Sequence, residues 1–217
     1  MATEACCIPA PPAEHIEEGK SKKFAGLDAY VNPGPANATT AVILVSDILG
    51  YDPPLLRKLA DRTASKGYFV VVPDLFHGDP FVPPPDPKDR MAVLGVWKAK
   101  HDPTDLTDMK AIIKQLREQG IQKIGVTGCC WGGKVAVSLA IEETPVIDAA
   151  VLFHPSFLTH DDVRSIKAPV LFLIPEIDQQ VPPEKAAEYD VNVPEEVKSA
   201  HKAHDDMLEW FKKHLTL

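Results

Sequence analysis

Five short apolar runs constrain this chain more than any other feature: "AVILVS" (41–46), "YFVVVP" (68–73), "KIGVTG" (123–128), "DAAVLF" (148–153) and "APVLFLI" (168–174). Each is too short for a helix of ordinary length. The first, a continuous apolar run, reads as a strand buried on both faces, the second as another buried strand, and the other three as strands. Helical patterns separate them. In "PPLLRKLADRTASKG", Pro53 and Pro54 suit a first turn, Leu55, Leu56, Leu59 and Ala60 share a face, and Gly67 ends the helix. Further helical patterns cover 90–100, 106–119 and "WGGKVAVSLAIEE" (131–143), and an amphipathic helix over 194–215 closes the chain. "LDAYV" (27–31) alternates and predicts an early strand. Strands that alternate with helices imply an α/β fold: a mostly parallel, doubly wound sheet with helices on both faces.

The 217 residues suit one such domain, placed at 25–217 behind an N-terminal arm, 1–24, broken by Pro9, Pro11 and Pro12. A net charge of −8 argues against nucleic acid or an anionic membrane as partner. No run has the length of a signal peptide or membrane span, so the cytosol is the expected location. The cysteines come as two adjacent pairs, Cys6–Cys7 and Cys129–Cys130, without zinc-ribbon spacing.

In open α/β sheets, ligands bind beyond the carboxyl ends of the strands. Asp47, His77, Cys130, His154 and Asp178 all follow a predicted strand. Cys130 is the most telling. In "GCCWGG", Gly128 and Gly132 bracket it two residues to either side, where a strand turns sharply into a helix. Only residues without a side chain fit so close a turn. Gly-x-Cys-x-Gly is the thiol form of a nucleophile elbow, and the helix that starts at Trp131 aims its N-terminus at the thiol, favouring a thiolate. Cys129 is off centre and is expected to point into packing.

These motifs resemble the dienelactone hydrolase family of the α/β-hydrolase fold. The resemblance is carried by residues 42–80, by "GCCWGGKVA", "VLFHPSF" and "LIPEIDQQVPPE", and by the closing "AHDDMLEWFKKHL". It is nearest to the plant and fungal branch, which often carries a Cys-Cys near the N-terminus, as here at Cys6 and Cys7. The resemblance implies an ester, lactone or thioester hydrolase that works through an acyl-cysteine and needs no cofactor. It implies Cys130 as nucleophile, Asp178 as the acid that orients a histidine, and the backbone N–H groups of Ile48 and Trp131 as the oxyanion hole.

Other rim residues carry two readings each. Asp47 stands where bacterial relatives have a glutamate that contacts the thiol; a turn aspartate is the other reading. His77 and His154 line the pocket or are hydrogen-bonded structural histidines. Tyr51 and Trp131 offer aromatic walls for an acyl group. His201 and His204 share a helix face with Asp205. They lack a third ligand, so an exposed polar face is expected there and no metal site.

One departure from the family stands out. Family members carry a further helix and strand after the acid, leading to a loop with His-Gly. Here the interval 175–193 reads "PEIDQQVPPEKAAEYDVNV". That is shorter than the roughly 28 residues those elements need, and it holds no His-Gly. The chain is therefore expected to lack the last edge strand and the catalytic histidine, and to turn over weakly despite an intact elbow. A non-catalytic protein that binds a small carbonyl ligand or a partner protein is the alternative. A redox protein using Cys129–Cys130 is a third reading. Substrate identity and oligomeric state are not encoded in any motif.

Overall fold

Alternation within each apolar run sorts its side chains onto two faces of one sheet. Ala41, Ile43 and Val45 join one buried cluster, while Val42 and Leu44 join another. The computed structural model describes residues 17–175 and 200–216, without the side chains of 200 and 201. The strands are β1 (Lys20–Phe24), β2 (Leu27–Asn32), β3 (Thr40–Val45), β4 (Phe69–Pro73), β5 (Lys123–Cys129), β6 (Ala149–Phe153) and β7 (Val170–Leu173). They form one sheet in the order β1-β2-β4-β3-β5-β6-β7. The five apolar runs make the parallel part, β4-β3-β5-β6-β7, and β1 and β2 add an antiparallel hairpin beside β4. Expectation and structure agree on the mostly parallel, doubly wound sheet.

The helices are α1 (Pro54–Ala64), α2 (Arg90–Lys98), α3 (Thr107–Glu118), α4 (Trp131–Ala140), α5 (His160–Arg164) and α6 (Ala200–His214). Met109, Ile112 and Leu116 of α3 and Val135, Ala136 and Leu139 of α4 fill one face of the sheet. Ala60 and Ala64 of α1 and Ala203, Met207 and Phe211 of α6 fill the other. The last three recur every four residues, which puts them in line on one side of a helix. Phe211 is fully buried, worth about 1.5–3 kcal/mol of transfer free energy. Gly125 of β5 makes room for it, since a Cβ there would lie 2.6 Å from the Phe211 ring.

Three details depart from the sequence reading. Strand β1 lies in the stretch assigned to the arm. Its first four residues are exposed, so it carries no apolar signal. Helix α5 falls outside every helical pattern read from the sequence. Its start is fixed by a capping box in which Thr159 and Asp162 satisfy each other's backbone N–H. His204 corrects the expectation of an exposed polar face: it is 3% exposed, with Nε2 3.5 Å from Thr63 Oγ1 of α1. Its place three residues before Met207 turns it inward.

A buried carboxylate ties the beginning of the described chain to α1. Asp61 accepts from Tyr30 Oη at 2.7 Å, Asn32 Nδ2 at 2.8 Å, and the N–H groups of Glu18 and Gly19 at 3.1 Å. Burial, and then the bond to Asp61, push the Tyr30 phenol far above its ordinary range.

Asp178 and nearly all of the interval 175–193 lie outside the described residues. Among the described residues, β7 ends the sheet. No described helix is long and apolar enough to cross a membrane.

Candidate active site

The chain leaves β3 for β4 on one side and later enters β5 on the other, so β3 and β5 are neighbours whose following segments diverge. A crevice opens at such a reversal, beyond the carboxyl ends of the strands. Residues 46–50 and the elbow at Cys130 flank it.

Strand β5 ends at Cys129 and α4 begins at Trp131, so Cys130 alone makes the turn. It does so at φ +53° and ψ −110°, a conformation that is costly for a residue with a side chain. The surroundings hold it there. The Cys130 N–H donates to the Phe153 carbonyl at 3.1 Å, and its own carbonyl accepts from Gly133 and Ser156 N–H, both at 3.0 Å. The glycines are needed as expected. A Cβ on Gly128 would lie 2.0 Å from the Gly132 carbonyl oxygen, and one on Gly132 would lie 2.6 Å from that of Ser46. Gly133 is equally confined, because Pro155 would be 2.7 Å from its Cβ.

Each of the two thiols has a partner in the segment that follows β6. Cys130 Sγ lies 3.3 Å from Ser156 Oγ, and Cys129 Sγ lies 3.4 Å from His154 Nε2. Both cysteines are half-buried and free of disulfide. Cys129 was expected to point into packing; it faces an imidazole instead. The reason is local. His154 adopts a positive φ of +35° directly after β6, the strand paired with β5.

Asp47 makes a turn: Leu49 N–H donates to Oδ1 at 2.8 Å, and Gly50 N–H to the carbonyl at 3.2 Å. Burial raises its carboxyl above the ordinary range, opposed by the Leu49 N–H and by the charge of His154. The next residue, Ile48, accepts the Phe81 N–H at 2.8 Å, which fastens the turn to the proline-rich loop after β4.

His77, read as a pocket or structural residue, is largely exposed and held by Asp108 of α3 at 2.8 Å. The Trp131 ring is buried among Phe76, Trp97 and His101, and its Nε1 donates to the His101 carbonyl at 3.1 Å. Its side chain is therefore committed to packing rather than to a pocket wall. Tyr51 packs toward the cluster of α1 and α6, with the Arg57 guanidinium 5.8 Å from its ring centre. An apolar groove of about 430 Å³ runs between Phe81–Val82 and Val93–Trp97 of α2. Among the described residues, no group of three or more His, Cys, Asp or Glu is placed to hold a metal ion.

The sequence reading missed Ser156. It is 2% exposed and touches Cys130 through both its N–H and its hydroxyl. A serine two residues past His154 in "HPSF" carries no recognisable signal by itself.

Comparison with known proteins converges on one group. The model of the dienelactone hydrolase family matches residues 27–205. A carboxymethylenebutenolidase homolog from Mus musculus is 34% identical over 86% of this chain and 77% of its own length. An endo-1,3;1,4-beta-D-glucanase from Zea mays is 37% identical over 74% of this chain, which spans only 50% of that protein. Among solved structures, one from Klebsiella pneumoniae assigned to the dienelactone hydrolases superposes with a TM-score of 0.73 at 23% identity. It covers 90% of this chain and 97% of its own, and so shares the α/β-hydrolase fold.

Proposed function

The chain belongs to the dienelactone hydrolase family, and from that premise we propose that it cleaves an ester, lactone or thioester through an acyl-Cys130 intermediate. The observation that carries this reading is the strained Cys130 backbone, held between β5 and α4 by three hydrogen bonds. Strain kept in place by its surroundings marks a side chain presented for chemistry.

The first turn of α4 leaves N–H groups without intrahelical acceptors, and their partial positive charge favours a thiolate at Cys130. The thiolate attacks the carbonyl carbon, and the carbonyl π electrons move to oxygen. The backbone N–H groups of Ile48 and Trp131 receive that oxyanion, as the family resemblance implies. Collapse re-forms the carbonyl and breaks the bond to the leaving oxygen, or to sulfur in a thioester; the leaving group takes a proton from solvent and a thioester remains on Cys130. A water then adds to the thioester, the C–S bond breaks to return the thiolate, and the carboxylate leaves as the two protons of the water pass to solvent. Asp178 is the proposed acid of the family's triad, and the interval 175–193 has no room for the family's His-Gly segment. Without that base the second half-reaction is slow, because no general base activates the water.

A burst experiment with p-nitrophenyl acetate tests this. The expected result is a fast release of about one equivalent of nitrophenolate, then a nearly flat steady state, with both lost in Cys130→Ala. Sustained turnover that needs Cys130 would show that another histidine supplies the base. A burst that persists in Cys130→Ala would remove Cys130 from the chemistry. A chain that binds a lactone but shows no burst would be a binding protein.

A further inference from the structure

We infer that Ser156 is a positioning residue for the Cys130 thiolate: its hydroxyl donates to Sγ, favours the ionised sulfur, and holds it over the turn into α4. The inference rests on Cys130 being the nucleophile. It adds a residue that neither the motif nor the comparisons assign.

The geometry is a three-point grip. The segment after β6 meets the elbow peptide on one side through the Phe153 carbonyl, which accepts the Cys130 N–H at 3.1 Å. On the other side, the Ser156 N–H donates to the Cys130 carbonyl at 3.0 Å. The third point is Ser156 Oγ, 3.3 Å from Sγ. Pro155, between the two, packs on Gly133 of the elbow helix. The backbone contacts fix where the Ser156 side chain begins, so its hydroxyl meets the sulfur without ordering a loop. At 2% exposure the hydroxyl has little access to water. A buried hydroxyl facing a thiolate has one proton to give and a charged acceptor beside it, and hydrogen bonds to charged groups are the stronger kind. When Sγ forms its bond to an acyl carbon, the negative charge leaves the sulfur while the proton stays on Oγ. The hydroxyl therefore acts on the ionisation and direction of the nucleophile and transfers nothing.

The other titratable groups around the elbow have partners of their own. His154 faces Cys129, Asp47 lies within the field of His154, and Lys134 of α4 pairs with Asp162 of α5 at 2.6 Å. Ser156 variants leave all of them in place, and Ser156→Ala retains the backbone bond to Cys130.

The test measures the pH dependence of iodoacetamide alkylation at Cys130, separated from Cys129 by peptide mapping. In Ser156→Ala the thiol midpoint should rise by about one unit, slowing alkylation up to about tenfold at pH values below the wild-type midpoint. The rates should converge above about pH 9.5, beyond the ordinary thiol range. The Cys129 rate should not change. Ser156→Thr, which retains the hydroxyl, should restore the wild-type midpoint. Should Ser156→Ala lose its cooperative melt, Ser156→Val carries the same test, matching the shape of Ser156→Thr without its hydroxyl and shifting the midpoint the same way. An unshifted midpoint overturns the inference, and so does an equal slowing at every pH, which would signal access rather than ionisation. The readout needs no ester. A failed burst would sink the hydrolase reading and leave this profile standing, while a flat profile would sink Ser156 alone.

Discussion

Replacing Gly132 by alanine adds one methyl group at the place where the elbow helix meets β3. The new Cβ would lie 2.6 Å from the Ser46 carbonyl oxygen, 2.7 Å from that of Val45, and 2.8 Å from Val45 Cγ1. Two of the three are backbone atoms at the end of a central strand, and neither can rotate away. Ordinary contact begins near 3.4 Å, so 2.6 Å must open to about 3.4 Å, a separation of about 0.8 Å. Overpacking on this scale costs about 1–3 kcal/mol. For a domain of this size that lowers the melting temperature by about 2–12 °C. Activity should suffer more than stability. The 0.8 Å opens between Ser46, which precedes the proposed donor Ile48, and the helix that starts at the proposed donor Trp131. Misplacing reacting groups by about 1 Å costs about 100-fold in rate. Gly95→Ala is the control. No atom lies within 4 Å of its Cβ, so alanine there should stabilise α2 by about 0.5–1 kcal/mol. Differential scanning calorimetry reads the melting temperatures, and the nitrophenyl acetate burst reads the chemistry. A Gly132→Ala protein with wild-type melting and burst would refute the close-approach argument.

Asp47→Asn should raise the melting temperature at pH 7. Burial lifts the Asp47 carboxyl in the folded state, so wild-type stability falls as pH rises from about 3.9 through that raised value, and asparagine removes the dependence. Melts at pH 3 and pH 7 check this: the gain should appear at pH 7 only, and an equal effect at both would refute it. Asp61→Ala should cost about 3 kcal/mol or more, because it strands the buried Tyr30 hydroxyl, the Asn32 amide and two backbone N–H groups. Urea unfolding measures the loss, and a cost under about 1 kcal/mol would show that the clamp is not structural.

The parallel strands were legible because an unbroken apolar run has few fates other than the middle of a sheet. "AVILVS" became β3 within a residue at either end. The edge strand β1 was not legible. "KSKKF" turns its polar residues to solvent and is held by pairing with β2, not by burial. Helix α5 has only five residues, too few for periodicity, although Thr159 and Asp162 stood at capping-box spacing. His204 was misjudged because residue type was weighed above helix phase; counting back three from Met207 places it inward. At the site, the glycine spacing located the turn at Cys130 because a steric rule links residue type to backbone conformation. Nothing comparable marks Ser156. A serine becomes chemically relevant only through a contact between the ends of two strands, and the sequence does not record such contacts.

The register of β3 and β5 has a consequence for how this site can change. Val45 pairs with Gly128 in the ladder, so the stems of the two proposed oxyanion donors leave from the same rung of neighbouring strands. Parallel strands sit about 4.8 Å apart whatever side chains they carry. The sheet is therefore a gauge block, and the donor spacing is machined into its backbone rather than adjusted by side chains. The proline-rich loop after β4 stands outside that gauge and is fastened to the Ile48 turn by the bond from Phe81 N–H to the Ile48 carbonyl. Loop residues can be exchanged for new substrates while the gauge keeps its setting. A substitution that shifts the register by one rung would ruin every substrate at once.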